Sequence, residues 1–119
     1  LRAGGVLWTA PDQNYHGKTS AFIPFLGLPA ATNTAMPTLA RMGRATILPY
    51  QVRRFGTRYE LEIEAPLEGV PSGDDVADTQ RLVERLEAEI YRHPEMYLWG
   101  HRRFKTLPKG IPPLYKARD

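Results

Sequence analysis

Residues 97–106, YLWGHRRFKT, contain several side chains that could bind an anion. Three aromatics, one histidine and three Lys or Arg side chains occupy ten positions. One interpretation is a surface turn whose aromatics cover a core while its cations face water. Another is a site for an anion with an apolar body, and a third is a surface for single-stranded nucleic acid, where bases stack and cations hold phosphates. The stretch by itself leaves these interpretations open.

A second candidate is the turn PDQNY at residues 11–15, which follows the apolar run VLWTA. Ligand sites in α/β proteins gather where strands end and loops begin. Asp12 is the only acid among the first 59 residues, and a carboxylate there can orient a cation or a substrate hydroxyl. An Asx turn explains the same residues without a ligand.

The third candidate is the pair Arg53 and Arg54, which follows a predicted strand ending at Val52. Guanidinium groups make planar, two-pronged contacts with phosphate or carboxylate. Neighbours on a strand point to opposite faces, so plain surface solvation explains at least one of the two.

No complete catalytic constellation is visible in these 119 residues. A histidine base needs a positioned acid, and among His16, His93 and His101 only His93 has one nearby, Glu95. That pair falls at a predicted helix end, where capping explains it. The sequence has no nucleophile elbow, no phosphate-cradling glycine loop, no cysteine and no metal-ligand spacing. We therefore predict no catalytic and no metal-binding residue within this stretch.

The net charge of +3 conceals three blocks of opposite sign. Residues 1–59 carry seven Lys or Arg against one acid, and residues 91–119 carry seven against two. Between them, residues 60–90 hold ten acids against two cations. Solvated faces produce such blocks, but basic ends also suit an anionic partner: a phosphorylated lipid, a nucleic acid or an acidic protein.

Elements that would position these residues alternate between strand and helix. The predicted strands are Val6–Ala10, Ala21–Phe25, Ala45–Val52 and Arg58–Ala65, the helices run from an N-cap among Thr32–Thr34 to Met42 and over Asp75–Arg92, and the tail 109–119 is extended. In Arg58–Ala65 the strict alternation predicts one buried and one wet face. The order predicts an α/β sheet packed by helices. A chain of this length fits one domain.

The order of four segments resembles the lauroyl/myristoyl acyltransferases of bacterial lipid A biosynthesis. These segments are VLWTAPDQNY, FIPFLGLPAATNTAMPTLARMG, ILPYQVRR and PEMYLWGHRRFKTLPKG, and the likeness covers about Leu1 to Tyr115. The resemblance implies the fold of the glycerol-phosphate acyltransferase superfamily, an α/β sheet flanked by helices, with residues 1–119 as the C-terminal portion of a single domain. The His-x4-Asp/Glu motif of that superfamily is absent here, so we expect it, and any membrane anchor, upstream of Leu1.

The resemblance also implies a reaction: a fatty acyl group passes from acyl carrier protein to a hydroxyl of a lipid A precursor, on the cytoplasmic side of the inner membrane. It implies no cofactor beyond the acyl donor and no nucleic-acid partner. Carried over by position, the expected substrate-binding residues are Asp12, Gln13, Arg53, Arg54, Trp99, His101, Arg102, Arg103 and Lys105. A non-catalytic basic module that binds anionic lipid or nucleic acid is the alternative. Leu107 departs from the family pattern, where Arg is common, and removes one cation.

Overall fold

In a computed structural model, which describes residues 1–116, the strands form two separate hairpins, with one helix between them and a longer helix after the second. The strands are β1 (Ser20–Phe25), β2 (Leu28–Asn33), β3 (Tyr50–Phe55) and β4 (Arg58–Ile63), and the helices are α1 (Ala35–Gly43) and α2 (Asp75–Arg92), followed by a 3-10 turn over Pro94–Met96. β1 pairs antiparallel with β2, and β3 pairs antiparallel with β4. The prediction of an α/β chain is confirmed. The prediction of one sheet is not, because the described strands form two sheets.

The first hairpin, β1–β2, supplies half of the main core. Its turn is Leu26–Gly27, where both residues have positive φ, 48° and 80°. Such a turn matches the right-handed twist of two paired strands, and glycine adopts it without strain. Ile23 and Phe25 alternate inward along β1, while Phe22 faces outward. β1 was predicted; β2 was not, because LPAATN has neither alternation nor bulky apolar residues.

Helix α2 packs on β1 and closes this core. Its side chains Val83 and Ile90 meet Ile23, Phe25 and Ala30 of the hairpin. The Asp74 side chain caps the helix by accepting from the backbone N–H groups of Val76 (3.0 Å) and Ala77 (2.9 Å). Acids in the first turn and Arg92 in the last complement the helix dipole. The predicted bounds of this helix are confirmed.

Helix α1 lies against the first half of α2. Its Arg41 forms an ion pair with Asp75 at 2.8 Å, and the Thr38 hydroxyl donates to the same carboxylate. The helix was predicted with its N-cap among Thr32–Thr34, and this is confirmed: Thr34 is the N-cap, because Thr32 and Asn33 belong to β2. Pro37 is the third helical residue, where a missing N–H costs nothing.

Two strand predictions and the prediction for the tail need correction. Val6–Ala10 forms no strand: no described strand lies beside it, and Val6 is 97% exposed. The predicted strand Ala45–Val52 starts only at Tyr50, where pairing with β4 begins, and extends to Phe55. Residues 109–116 of the tail contain turns rather than a continuous extended run, and residues 117–119 lie outside the described part.

Strand β4 was predicted with one buried face, and that face is uncovered. The strand itself is confirmed over Arg58–Ile63. Tyr59, Leu61 and Ile63 share one side as the alternation requires, but each is more than 60% exposed. Alternation fixes which side chains share a face, whereas burial needs a second layer, which residues 1–116 do not place there.

Candidate functional site

Two segments almost ninety residues apart interlock beside the main core. The backbone N–H of Asn14 donates to His101 Nε2 at 3.1 Å, and the Asn14 side-chain amide donates to Thr106 Oγ1 at 3.2 Å. In return, the Thr106 N–H donates to Asn14 Oδ1 at 3.0 Å. Residues 11–14 and 101–106, hereafter the junction, therefore form one unit. Both segments were singled out from the sequence, and the structure brings them together.

Arg103 lies at the centre of the junction and is only 2% exposed. Its guanidinium donates to the carbonyl of Ala31 at 2.8 Å, to Thr32 Oγ1 at 2.5 Å and to the carbonyl of Pro11 at 3.4 Å. The same group lies 5.2 Å from the centre of the Phe25 ring. Burial lowers the pKa of Arg103, because the interior disfavours the charged form. Its hydrogen bonds thus tie the junction to β2.

Aromatic rings form the wall between the junction and the core. Phe25 lies 6.1 Å from Tyr97 and 6.0 Å from Phe104, measured between ring centres. Tyr97 meets Trp99 edge to face at 5.0 Å. Burial, assisted by the charge of Asp12, raises the pKa of Tyr97 to about 12. Of the interpretations left open for this stretch, the one in which all its cations face water fails at Arg103, which is buried.

Four predicted site residues are at the surface of the junction or next to it. Arg102 stacks over the Tyr115 ring at 5.5 Å, and Lys105 is exposed. Gln13 is exposed beside Asn14. Trp99 is 58% exposed, with its indole N–H donating to the carbonyl of Pro94 at 2.7 Å. These side chains offer a cation, an amide and an aromatic face to a ligand.

Asp12 differs from its neighbour Gln13 in where it points. One carboxylate oxygen, Oδ1, is buried and has no hydrogen-bond partner among residues 1–116. Tyr97 Oη and Arg103 Nε share that condition in the described structure. Three unpartnered polar atoms in one region are unusual, since buried polar groups in proteins are nearly always paired.

Arg53 and Arg54 lie on the second hairpin and not in the junction. Arg53 donates to Glu89 of α2 at 2.7 and 3.2 Å, and to Glu62 of β4 at 2.7 Å. These hydrogen bonds raise the pKa of Arg53 and lower that of Glu89. Arg53 thus fastens the hairpin to α2, while Arg54 faces the opposite side and is exposed. Their contact with substrate stays a prediction.

A wide apolar groove of about 610 Å³ was not predicted from the sequence. It runs between the segment 6–9, helix α1 and the apolar side of hairpin β3–β4. Trp8 and Tyr50 both line it, and the indole N–H of Trp8 donates to the Tyr50 hydroxyl. The signal available was the alternation in β4, which was interpreted as a face buried within this chain.

Comparison of the sequence with known proteins identifies the family of this chain. A family model described as bacterial lipid A biosynthesis acyltransferase matches residues 1–106, a range that ends at the last residue of the junction. The chain belongs to this family. The resemblance predicted from the four segments is thereby confirmed.

Relatives named as lipid A biosynthesis acyltransferases align along almost the whole chain. A lipid A biosynthesis lauroyltransferase of Escherichia coli (strain K12) is 41% identical over 119 residues, covering 97% of this chain and 39% of that protein. A palmitoleoyltransferase of the same organism is 39% identical, and an acyltransferase of Haemophilus influenzae 33%, with 97% of this chain covered in each case and 38% and 39% of those proteins. The chain thus spans about two fifths of the length of these relatives.

Two further observations bear on this member of the acyltransferase family. Within residues 1–116, no helix combines the length and hydropathy needed to cross a membrane. The same residues bring no three His, Cys, Asp or Glu side chains together in a way that could hold a metal ion.

Proposed function

We propose that this chain works as part of an enzyme that transfers a fatty acyl group from acyl carrier protein to a hydroxyl of a lipid A precursor. The observation that carries the proposal is the family match, which includes both halves of the junction. The relatives' names support acyl transfer in lipid A biosynthesis, with lauroyl and palmitoleoyl groups among those moved.

The chain's part in this reaction would be to bind rather than to catalyse. None of His16, His93 and His101 is followed five positions later by Asp or Glu. We place the proton-abstracting His and its acid on other parts of the enzyme, within a glycerol-phosphate-acyltransferase-like sheet to which these two hairpins would belong. The 119 residues alone would then be inactive.

Charge at the surface fits both substrates. A lipid A precursor carries sugar phosphates on an apolar body, and acyl carrier protein is acidic, so a cationic surface attracts each of them. Arg54, Arg102 and Lys105 are exposed and available for such contacts. Anionic lipid headgroups on the cytoplasmic face of the inner membrane would be attracted in the same way.

The test uses the natural full-length protein, purified in detergent. It is incubated with a lipid A precursor and with lauroyl-, myristoyl- or palmitoleoyl-acyl carrier protein, and the product is weighed by mass spectrometry. We expect a gain of one acyl group, and none when the 119-residue polypeptide replaces the full protein. A folded full-length protein that acylates no lipid A precursor from any of these donors would refute the proposal.

The donor is tested in the same assay by replacing acyl carrier protein with acyl-coenzyme A. Higher transfer efficiency (kcat/KM) from the carrier protein supports the proposed donor. Equal efficiency from both thioesters would contradict a role for the carrier protein's acidic surface, while leaving acyl transfer itself intact.

A further inference from the structure

Adjacent residues of the PDQ turn point in opposite directions. Asp12 turns a carboxylate oxygen into the protein, where it is shielded from solvent, whereas the neighbouring Gln13 is exposed. Because Asp12 faces inward and Gln13 faces outward, the two side chains are not equally accessible to a ligand. The structure therefore separates two residues that the sequence had grouped as substrate-binding.

Asp12, Tyr97 and Arg103 act on one another electrostatically. The charge of Asp12 adds to the effect of burial in raising the pKa of Tyr97, and it opposes the effect of burial on the pKa of Arg103. Geometry places them together as well, because Arg103 donates at 3.4 Å to the carbonyl of Pro11, the residue that precedes Asp12. Each of the three also contributes one buried polar atom without a hydrogen-bond partner among residues 1–116.

A buried cation requires a compensating charge. Arg103 is almost completely enclosed, and the groups that accept from it are two carbonyls and a hydroxyl, all neutral. Taking an uncompensated charge out of water is costly, and removing one member of a buried pair leaves the other unpaired. Among residues 1–116, Asp12 is the carboxylate whose charge favours the charged form of Arg103, and it acts through space because the two groups do not hydrogen-bond to each other.

We propose that Asp12 and Arg103 are interdependent positioning residues that hold the PDQ turn, and that Gln13 is the side chain of this turn that contacts substrate. Arg103 fixes the turn from two sides, through the Pro11 carbonyl and through the charge of Asp12. β2 anchors Arg103 in turn at Ala31 and Thr32. The exposed Arg102 next to it has no part in this arrangement.

The contact at Gln13 rests on the proposed acyl transfer, whereas the coupling of Asp12 with Arg103 does not. The experiment therefore measures unfolding and binding separately in the full-length protein. Asp12→Asn, Arg103→Gln and the double variant are compared by thermal unfolding, with Arg102→Gln as the matched control. Binding of a lipid A precursor in micelles and acyl transfer are measured for these variants and for Gln13→Ala, at a temperature where all of them are folded.

For the pair, we expect Asp12→Asn and Arg103→Gln each to lower the unfolding temperature and the transfer efficiency (kcat/KM). The double variant should lose clearly less than the two single losses combined, because the second change removes a group already left unpaired. Arg102→Gln should leave the unfolding temperature unchanged. Additive losses, or a loss in Arg102→Gln equal to that in Arg103→Gln, would overturn the pairing.

For the contact, we expect Gln13→Ala to keep the wild-type unfolding temperature and to weaken binding of the lipid A precursor roughly tenfold, the effect of losing one hydrogen bond to a charged group. Asp12→Asn should lower kcat more than it weakens binding, since a displaced turn misaligns bound substrate. Unchanged binding in Gln13→Ala, or a pure binding defect in Asp12→Asn, would overturn these roles. Coupled unfolding without any acyl transfer would refute the proposed function alone.

Discussion

Phe25 packs against residues of the junction, so its replacement should destabilise the fold and disturb the site together. The side chain is 1% exposed and meets Tyr97, Phe104 and the guanidinium of Arg103. Three residues earlier on the same strand, Phe22 is 41% exposed and faces away from this core. Phe25→Leu and Phe22→Leu make the same chemical change in two environments.

The expected cost of Phe25→Leu follows from the contacts it removes. Two aromatic pairs are worth about 0.5–1.5 kcal/mol each beyond burial, and a desolvated cation over a ring contributes about 1–2 kcal/mol. Leucine keeps part of the packing, so we expect a loss of about 2–4 kcal/mol in the free energy of unfolding. At the exposed Phe22, the same substitution should cost less than about 0.5 kcal/mol.

Urea unfolding of the full-length protein, followed by brief proteolysis, measures both variants against the wild type. The acyl-transfer assay at a temperature below unfolding then reports on the site. We expect Phe25→Leu to lower the urea midpoint and transfer efficiency, and Phe22→Leu to change neither. Equal midpoints for the two variants would show that the contacts around Phe25 do not stabilise the protein, and the reasoning would fail.

Two further predictions concern helix α2. The hydrogen bond from Arg53 lowers the pKa of Glu89 below its usual 4.5, so this carboxylate stabilises the fold above about pH 4.5, and the effect disappears as the pH falls through the lowered value. The difference in urea midpoint between wild type and Glu89→Gln should therefore be largest at neutral pH and shrink in acid; a difference independent of pH would contradict the ion pair. At the helix start, Asp74→Ala should cost about 1 kcal/mol, whereas Asp74→Asn should retain most of the stability. Equal urea midpoints for the two Asp74 variants would contradict the cap.

Local patterns predicted the elements whose signals lie within their own residues. Helix α2 has eighteen residues with apolar side chains at helical spacing, acids at its start and a cation at its end, and its bounds were predicted correctly. Strand β4 was predicted from the alternation of apolar and polar residues along it. Strand β2 has no such alternation of apolar and polar residues. Its small residues are buried because neighbouring elements enclose them, and their own hydrophobicity is too low to predict that burial.

The candidate site depends on contacts that local sequence patterns do not predict. Arg102 and Arg103 are adjacent and chemically identical, yet one stacks on a surface ring and the other is buried. Their difference depends on β2 and on the turn at residue 11, more than seventy residues away. No periodicity encodes such a contact. Residue types singled out each half of the junction separately, but they gave no sign that the two halves contact each other.

Hairpin β3–β4 has a practical consequence for anyone who produces these residues as an isolated polypeptide. Among residues 1–116, each of its strands pairs with a single neighbour, and Val52, Leu61 and Ile63 expose a continuous apolar side. Unpaired strand edges and exposed apolar surface both favour aggregation of the polypeptide. A net charge of +3 lies at the low end of the range that keeps small domains apart in solution. Solubility of the isolated polypeptide should thus depend steeply on its concentration.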